Sequence, residues 1–302
     1  ELNKTGQGFL NVGDIIMVDI DQFYGIEYDE FPVRIAEVAM WLMDHQMNMR
    51  VSEEFGQYFV RLPLKKSATI RHGNALRIDW KDVIAPKDLH YILGNPPFSG
   101  AKNQSPEQKQ DMQNVFNGTK KSGSLDYVSA WYRKAAQYIQ DTEIRVAYVS
   151  TNSITQGEQV HVLWTELQEN YKVEIFFAHR TFKWNNQAKG NAAVHVVIIG
   201  FSSKKIKDKK IFDYDHVSGE PQEVTADNIN PYLIDANNIL ISSRSNPISE
   251  VDNMIRGSET TDNGNFMLTE EEKDLLLTNY PESKKFVRIF KGGADVIRNN
   301  TR

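Results

Sequence analysis

The chain has 302 residues, a net charge of −5, 40% hydrophobic residues and no cysteine. That length admits one large domain or two small ones with a real core, and the missing cysteines exclude disulfides, thiolate metal sites and a cysteine nucleophile. The negative charge argues against a self-sufficient nucleic-acid binder, whose footprint is basic. No apolar run approaches about 18 residues and no signal-peptide pattern is present, so the expectation is a soluble, cytoplasmic protein with no membrane partner.

The chain opens on Glu1 rather than Met and reads as a piece of something larger. Phe23-Tyr24-Gly25-Ile26-Glu27 reads as a short strand ending in an acid. From Glu30 to Asn48 the apolar residues Val33, Ile35, Ala36, Ala39, Met40, Leu42 and Met43 recur at helical spacing. Ser67 to Ile70 begins a second strand that leads into Gly73-Asn74-Ala75-Leu76. Leu89 to Gly94 is a third, closed by Asn95-Pro96-Pro97-Phe98. Ser105 to Phe116 and Leu125 to Ile139 read as helices, and Trp131 and Tyr132 on the second are core residues. Ile144 to Val149 is a strand and Glu158 to Glu169 a helix. Val173 to Phe177 and Ala192 to Phe201 are strands joined by a polar loop. Strands alternating with helices imply an α/β, mostly parallel, three-layer sheet. The last two strands have no helix between them and predict an antiparallel hairpin at the sheet's edge. Composition changes after Ser202. Lys204 to Lys210 reads as a solvated loop, and Leu268 to Tyr280 as a charged helix with Thr269 as N-cap and Glu272 three residues on. The expected division is therefore a catalytic domain over 1–203 and a connector with the start of a further domain over 204–302.

Asn95-Pro96-Pro97-Phe98 carries the most information. By composition alone the tetrapeptide arises in a chain of this length on the order of once in a thousand. Neither proline has an N–H to give a ladder, so the motif sits on the turn leaving a strand's carboxyl end, where open α/β sheets bind ligands. An exocyclic adenine amine is a poor nucleophile because its lone pair is delocalised into the ring. Two acceptors on its hydrogens pull the nitrogen toward a tetrahedral geometry. The Asn95 side-chain carbonyl is one acceptor and the Pro96 backbone carbonyl the other, while Phe98 offers a face for a base. A rigid turn that happens to hold an Asn is the bland alternative. Glu27 and Asn74 stand at two further strand ends. A carboxylate at Glu27 suits ribose hydroxyls, Tyr28 an adenine face, and Asn74 with Ala75 an adenine edge. A lone acid of this kind is more often a solvated turn residue; three such positions in order make a constellation.

The tetrapeptide resembles the catalytic loop of DNA N6-adenine methyltransferases that use S-adenosylmethionine. Glu27, Asn74 and Asn95 are similar in order to motifs II, III and IV of the class I family, with Asn74 where Asp is usual. The resemblance implies a Rossmann-like three-layer sandwich. Phe23 to Glu27, Gly94 to Gly100, Leu125-Asp126-Tyr127-Val128-Ser129-Ala130-Trp131-Tyr132, Ser150 to Ile154 and His179 to Trp184 further resemble the methylase region of large single-chain type II restriction–modification enzymes. That resemblance implies double-stranded DNA as substrate, an N-terminal endonuclease domain and a C-terminal target-recognition domain in the parent chain. The stretch from Phe286 to Arg302 is similar to the start of the latter.

A methylase of this kind must flip its base out of the duplex. Phe98 and an aromatic of the 179–191 loop, Phe182 or Trp184, are the expected walls, with Lys189 for phosphate. The bland reading is that the loop aromatics cover a core edge. Lys102, Lys109, Lys120 and Lys121 are weaker candidates for DNA backbone contact. No histidine spacing suggests a metal site, and methyl transfer from a sulfonium needs no metal.

The family's first motif, a strand with a Gly-rich turn, has no good match. Gly6-Gln7-Gly8-Phe9 follows no apolar strand. In the family that strand lies between the Glu27 and Asn95 strands. Its absence predicts rearranged pairing, a neighbouring chain in the gap or a partly open sheet, and weak cofactor binding without DNA methylation by these residues alone. Two alternatives remain open: methylation of another planar nitrogen, such as cytosine N4 or a protein glutamine amide, and a non-catalytic module that binds DNA or a partner.

Overall fold

The computed structural model describes residues 16–56, 66–184, 194–244, 246–251 and 264–292. They fall into two compact units that divide between Ser242 and Ser243. Lys189, Gly6 to Phe9 and the stretch 293–302 lie outside the described residues.

The first unit holds two sheets. β1 (Tyr24–Glu27) pairs in parallel with β2 (Thr69–His72), Glu27 opposite His72, and α1 (Glu30–Phe55) crosses between them. The helix closes on Gly56 at φ 63, where a side chain would be strained. The larger sheet runs β3 (Tyr91–Gly94), β4 (Arg145–Thr151), β6 (Val194–Ser202), β5 (Glu174–Trp184), β7 (Lys209–Asp213), β8 (Gln222–Ala226). β3 and β4 are parallel, as are β5 and β7; the other three neighbours are antiparallel, so the sheet is mixed.

Helices α2 (Pro106–Val115), α3 (Ser129–Tyr138) and α4 (Gly157–Thr165) lie in this unit. Ser105 and Gln108 cap α2 reciprocally, and Pro106 starts it where no N–H is needed. α3 buries Tyr132 completely. Its ring lies 5.3 Å from Phe201 of β6, 5.3 Å from Tyr148 of β4 and 6.1 Å from Trp164 of α4. These aromatics tie helix and sheet layers into one core.

Three expectations change. β5 continues past Phe177 to Trp184, because Phe182 and Trp184 pair with Val196 and Val194 of β6 after two register shifts. His179 to Trp184 therefore belong to a strand, not a loop. The β5–β6 hairpin is not the sheet's edge, since β7 and β8 extend the sheet beyond it. The lysine-rich stretch is only partly a solvated loop. Lys209 is buried at the start of β7, where its ammonium meets Glu174 at 3.1 Å and so satisfies its charge.

β1 and β3 share no ladder among the described residues. β3 instead stands at the edge of its sheet with Leu93 78% and Tyr91 63% exposed. What holds the small sheet to the large one is the segment from Asn74 to Leu89, docked on α3. Trp80 is buried with its ring 5.6 Å from Tyr138, and its indole N–H donates to the Ala75 carbonyl at 2.9 Å. The Tyr138 hydroxyl donates to the Ile84 carbonyl at 2.6 Å, and the Lys134 ammonium donates to the Ile78 carbonyl.

The second unit contains α5 (Glu270–Asn279), with Thr269 and Glu272 in the reciprocal cap its sequence predicts. No helix of the described residues is long and apolar enough to cross a membrane.

Candidate active site

A cleft of about 770 Å³ lies where the ends of β1, β2 and β3 come together. This volume is in the range of small-molecule sites, about 300–1,000 Å³. Glu27, Tyr28, Asn74, Ala75, Asn95, Pro96 and Pro97 all line it. Residues from three separate strand ends thus meet in one place. Phe98 is half-buried and does not line the cleft.

The Glu27 Oε1 atom accepts the backbone N–H groups of Tyr28 at 2.8 Å and Asp29 at 3.2 Å, which fixes the carboxylate at the mouth of α1. The Asn74 amide holds its own turn. Its Oδ1 accepts the Leu76 N–H at 2.9 Å, an Asx turn, and its Nδ2 donates to Asp111 at 3.0 Å. The carbonyl's second lone pair and the second amide hydrogen are what Asn74 has left for a ligand. Gly94 precedes the loop because the Tyr148 ring of β4 occupies its side-chain space: a Cβ there would lie 3.0 Å from that ring.

Asn95 and Pro97 are exposed while Pro96 is buried, so the loop is anchored at its middle. Its far end is tied to the start of α3. The Tyr127 N–H donates to the Ser99 carbonyl at 2.9 Å, and Gln104 donates to the Leu125 carbonyl at 2.9 Å. The buried Asp126 carboxylate accepts the Ala101 N–H at 3.3 Å, Thr151 at 3.0 Å, Gln159 at 3.0 Å and the Ser153 hydroxyl.

Asp111 is a second hub, with only 2% of its side chain exposed. It accepts from Arg77 at 2.7 Å, Tyr127 at 2.9 Å and Asn74. Burial pushes its carboxyl up, but the bonds from Arg77, Tyr127 and Asn74 outweigh that and hold it below the ordinary carboxylate range. Burial and the adjacent Asp111 raise the Tyr127 hydroxyl far above the ordinary tyrosine range, so it remains a donor. Sequence reasoning assigned Asp111 no role and placed Asp126 only within the stretch that carries the family resemblance. An acid beside Met112 on the inward side of α2 was the available signal for Asp111, since a buried Asp needs partners.

The proposed base-stacking aromatics sit apart from this cleft's lining, on β5. Phe182 stacks on Tyr214 at 5.2 Å and lies 6.1 Å from Trp184, and His179 stacks on Phe212 at 4.3 Å. The His179 ring also shares a 2.8 Å hydrogen bond with the Tyr214 hydroxyl. Phe182 already has a partner on one face, whereas Trp184 lies at the end of the strand. Tyr214 and Phe212 had no role in the sequence reading, because their segment was assigned to the connector.

The family model for the MmeI DNA-methyltransferase domain matches residues 3–213, and that for the MmeI target recognition domain matches residues 235–302. The chain therefore belongs to the MmeI DNA-methyltransferase domain family. It is 40% identical over 289 residues to DNA methyltransferase A of Bacillus subtilis (strain 168), covering 94% of this chain and 32% of that protein. It is also similar to the solved structure of the type IIL restriction–modification enzyme MmeI in complex with DNA, at 51% identity and a TM-score of 0.85, covering 98% of this chain and 40% of that one. The chain thus spans 32% and 40% of these two relatives' lengths.

Proposed function

We propose that this chain carries the modification activity of a restriction–modification enzyme, methylating adenine N6 in double-stranded DNA with S-adenosylmethionine as donor. The observation that carries the reading is the meeting of Asn95, Glu27 and Asn74 in one cleft. The cleft fits the donor in size and in its donor set, with a fixed carboxylate beside a half-satisfied amide. Glu27, Tyr28, Asn74 and Ala75 would hold the nucleoside part. When bound, the cofactor supplies a methyl group activated by its sulfonium.

The chain's own contribution is to the acceptor. Asn95 Oδ1 and the Pro96 carbonyl accept the two amine hydrogens and orient the nitrogen lone pair toward the cleft. Pro96 and Pro97 have no backbone N–H and little torsional freedom, so the acceptors are preorganised and cost little to align. Phe98, with Phe182 or Trp184 and with Lys189 for phosphate, would receive the flipped nucleotide. The resemblance of residues 235–302 to a recognition domain supports site-specific DNA as the partner, with an endonuclease domain elsewhere in the parent chain.

In the intact enzyme, Asn95→Ala should lower methyl incorporation into duplex DNA about a hundredfold or more, the scale of losing one preorganised hydrogen-bond partner. S-adenosylmethionine affinity should change far less. Nucleoside analysis of the product identifies the acceptor. N4-methylcytosine, label in protein glutamine, or no transfer at all would replace this reading with one of its alternatives.

A further inference from the structure

Asp126 and Tyr127 are adjacent in sequence, yet their side chains serve opposite sides of the cleft. The Asp126 carboxylate is buried and receives the Ala101 N–H, which lies three residues past Phe98. It also receives Thr151 from the end of β4 and Gln159 from α4. The Asp126 N–H returns a bond to Gln159 Oε1 at 3.0 Å, so the pair is reciprocal. None of these contacts reaches Asn74 or Glu27. Its contacts run from the catalytic loop into the large core.

The Tyr127 side chain points the other way. Its hydroxyl donates to Asp111 at 2.9 Å, and the same Asp111 oxygen accepts from Asn74 at 3.0 Å. Arg77 closes the other oxygen at 2.7 Å. The Tyr127 ring is braced edge-on against Trp131 at 5.2 Å. A tyrosine and an arginine therefore hold a buried carboxylate, and that carboxylate holds the Asn74 turn. Meanwhile the Tyr127 backbone N–H holds Ser99 in the catalytic loop. With no ladder between β1 and β3, these side-chain bonds and the docked Trp80 segment set where the Asn74 turn stands relative to Asn95.

We infer that Asp126 and Tyr127 are positioning residues that divide the reaction between them: Asp126 places the Asn95 loop for the acceptor, and the Tyr127 hydroxyl, through Asp111, places the Asn74 turn for the cofactor. The inference rests on the proposed reading that Asn95 serves the acceptor amine and Asn74 the cofactor.

Tyr127→Phe is the sharp probe, because it keeps the ring, its packing on Trp131 and the backbone bond to Ser99. In the intact enzyme it should weaken S-adenosylmethionine binding about tenfold by calorimetric titration, with kcat at saturating cofactor changed much less. Asp126→Ala should do the reverse, lowering kcat about tenfold or more on duplex DNA that the unsubstituted enzyme methylates, with cofactor affinity held within about twofold. Asp126→Asn should recover most of that loss, since its Oδ1 can still accept from Ala101 and Gln159 while the Thr151 and Ser153 hydroxyls turn to accept. If Asp126→Ala does not fold, Thr151→Val, which removes one donor to the Asp126 carboxylate and keeps the side-chain shape, should show the same split in smaller measure, with kcat lowered and cofactor affinity held. Equal effects of the two positions on affinity and kcat, or unchanged cofactor affinity in Tyr127→Phe, would overturn the division of labour while leaving the function intact. Failure of the unsubstituted enzyme to bind S-adenosylmethionine would instead overturn the functional reading, and this inference with it.

Discussion

The two walls of the cleft are built to different standards. The Asn95 wall stands on β3 and β4, backed by Tyr132, Tyr148, Trp164 and Phe201, all buried. The Glu27–Asn74 wall rests on a two-stranded sheet and on α1, whose only buried apolar side chain is Val33 and whose Ile35, Leu42 and Met43 are exposed. A two-stranded sheet is marginal by itself. The Asn95 loop is thus fixed by a cooperative core, and the Glu27–Asn74 wall by a docked segment and a few polar bonds. The difference teaches that defects in the two walls should separate in experiment: one kind unfolds the unit, and the other loosens only half of the site.

The sharpest break of that contrast comes from paired core substitutions. Phe201→Ala should destabilise the whole first unit by about 3–5 kcal/mol and remove amide protection from both walls. Trp80→Ala also removes a buried ring, yet it should release mainly the Glu27–Asn74 wall. Hydrogen exchange would then show protection lost over Tyr24–Glu27 and Thr69–His72 and kept over Arg145–Thr151. Equal loss in both segments would mean that the walls are one cooperative body.

A smaller effect should follow from Asn74→Asp. The new carboxylate would face Asp111 at the 3.0 Å now bridged by an amide hydrogen. Like charges that close raise one of the pair's two proton affinities. Unfolding in urea should show a loss on the order of 1–3 kcal/mol at neutral pH. Because the native pair holds a proton that the unfolded chain releases, the loss should grow as pH rises through the pair's upper pKa and shrink below it. A pH-independent change would show that Asp111 is not the cause.

An effect of the same order, on DNA binding and not on stability, is expected at the far aromatic group. Trp184→Ala should weaken binding of duplex DNA with 2-aminopurine at the target by roughly 1–3 kcal/mol and reduce the fluorescence change on flipping. Phe182→Ala should instead disturb the Tyr214 stack and lower stability. If Trp184→Ala leaves both DNA signals unchanged, Phe182 becomes the stacking candidate.

Much of this architecture was legible in the residues. Asn95 to Pro97 announced a strand end because proline cannot join a ladder, and Glu27 and Asn74 stood out only because they fall in order with Asn95 at three strand ends, each alone being an ordinary turn residue. What stayed hidden depended on partners distant in sequence. Phe182 and Trp184 read as loop residues because nothing local revealed that Val194 and Val196 would pair with them. Lys209 read as solvent-facing until Glu174, thirty-five residues earlier, supplied its counter-charge. The roles of Asp111 and Asp126 were invisible for the same reason: a lone acid in a helix or turn looks solvated unless its donors are known.

Lys134 carries a further consequence. Burial lowers its ammonium pKa to about 8, and its bond to the Ile78 carbonyl ties α3 to the segment that carries Trp80. Acylating reagents select for free amine and for access. Lys134 is thus a built-in chemical gauge: sheltered while the Trp80 segment is seated, and labelled like an ordinary surface lysine once that segment lifts. Mass-spectrometric labelling of this one amine would follow the seating of the Glu27–Asn74 wall without any introduced probe, in a chain with no cysteine to compete for the reagent.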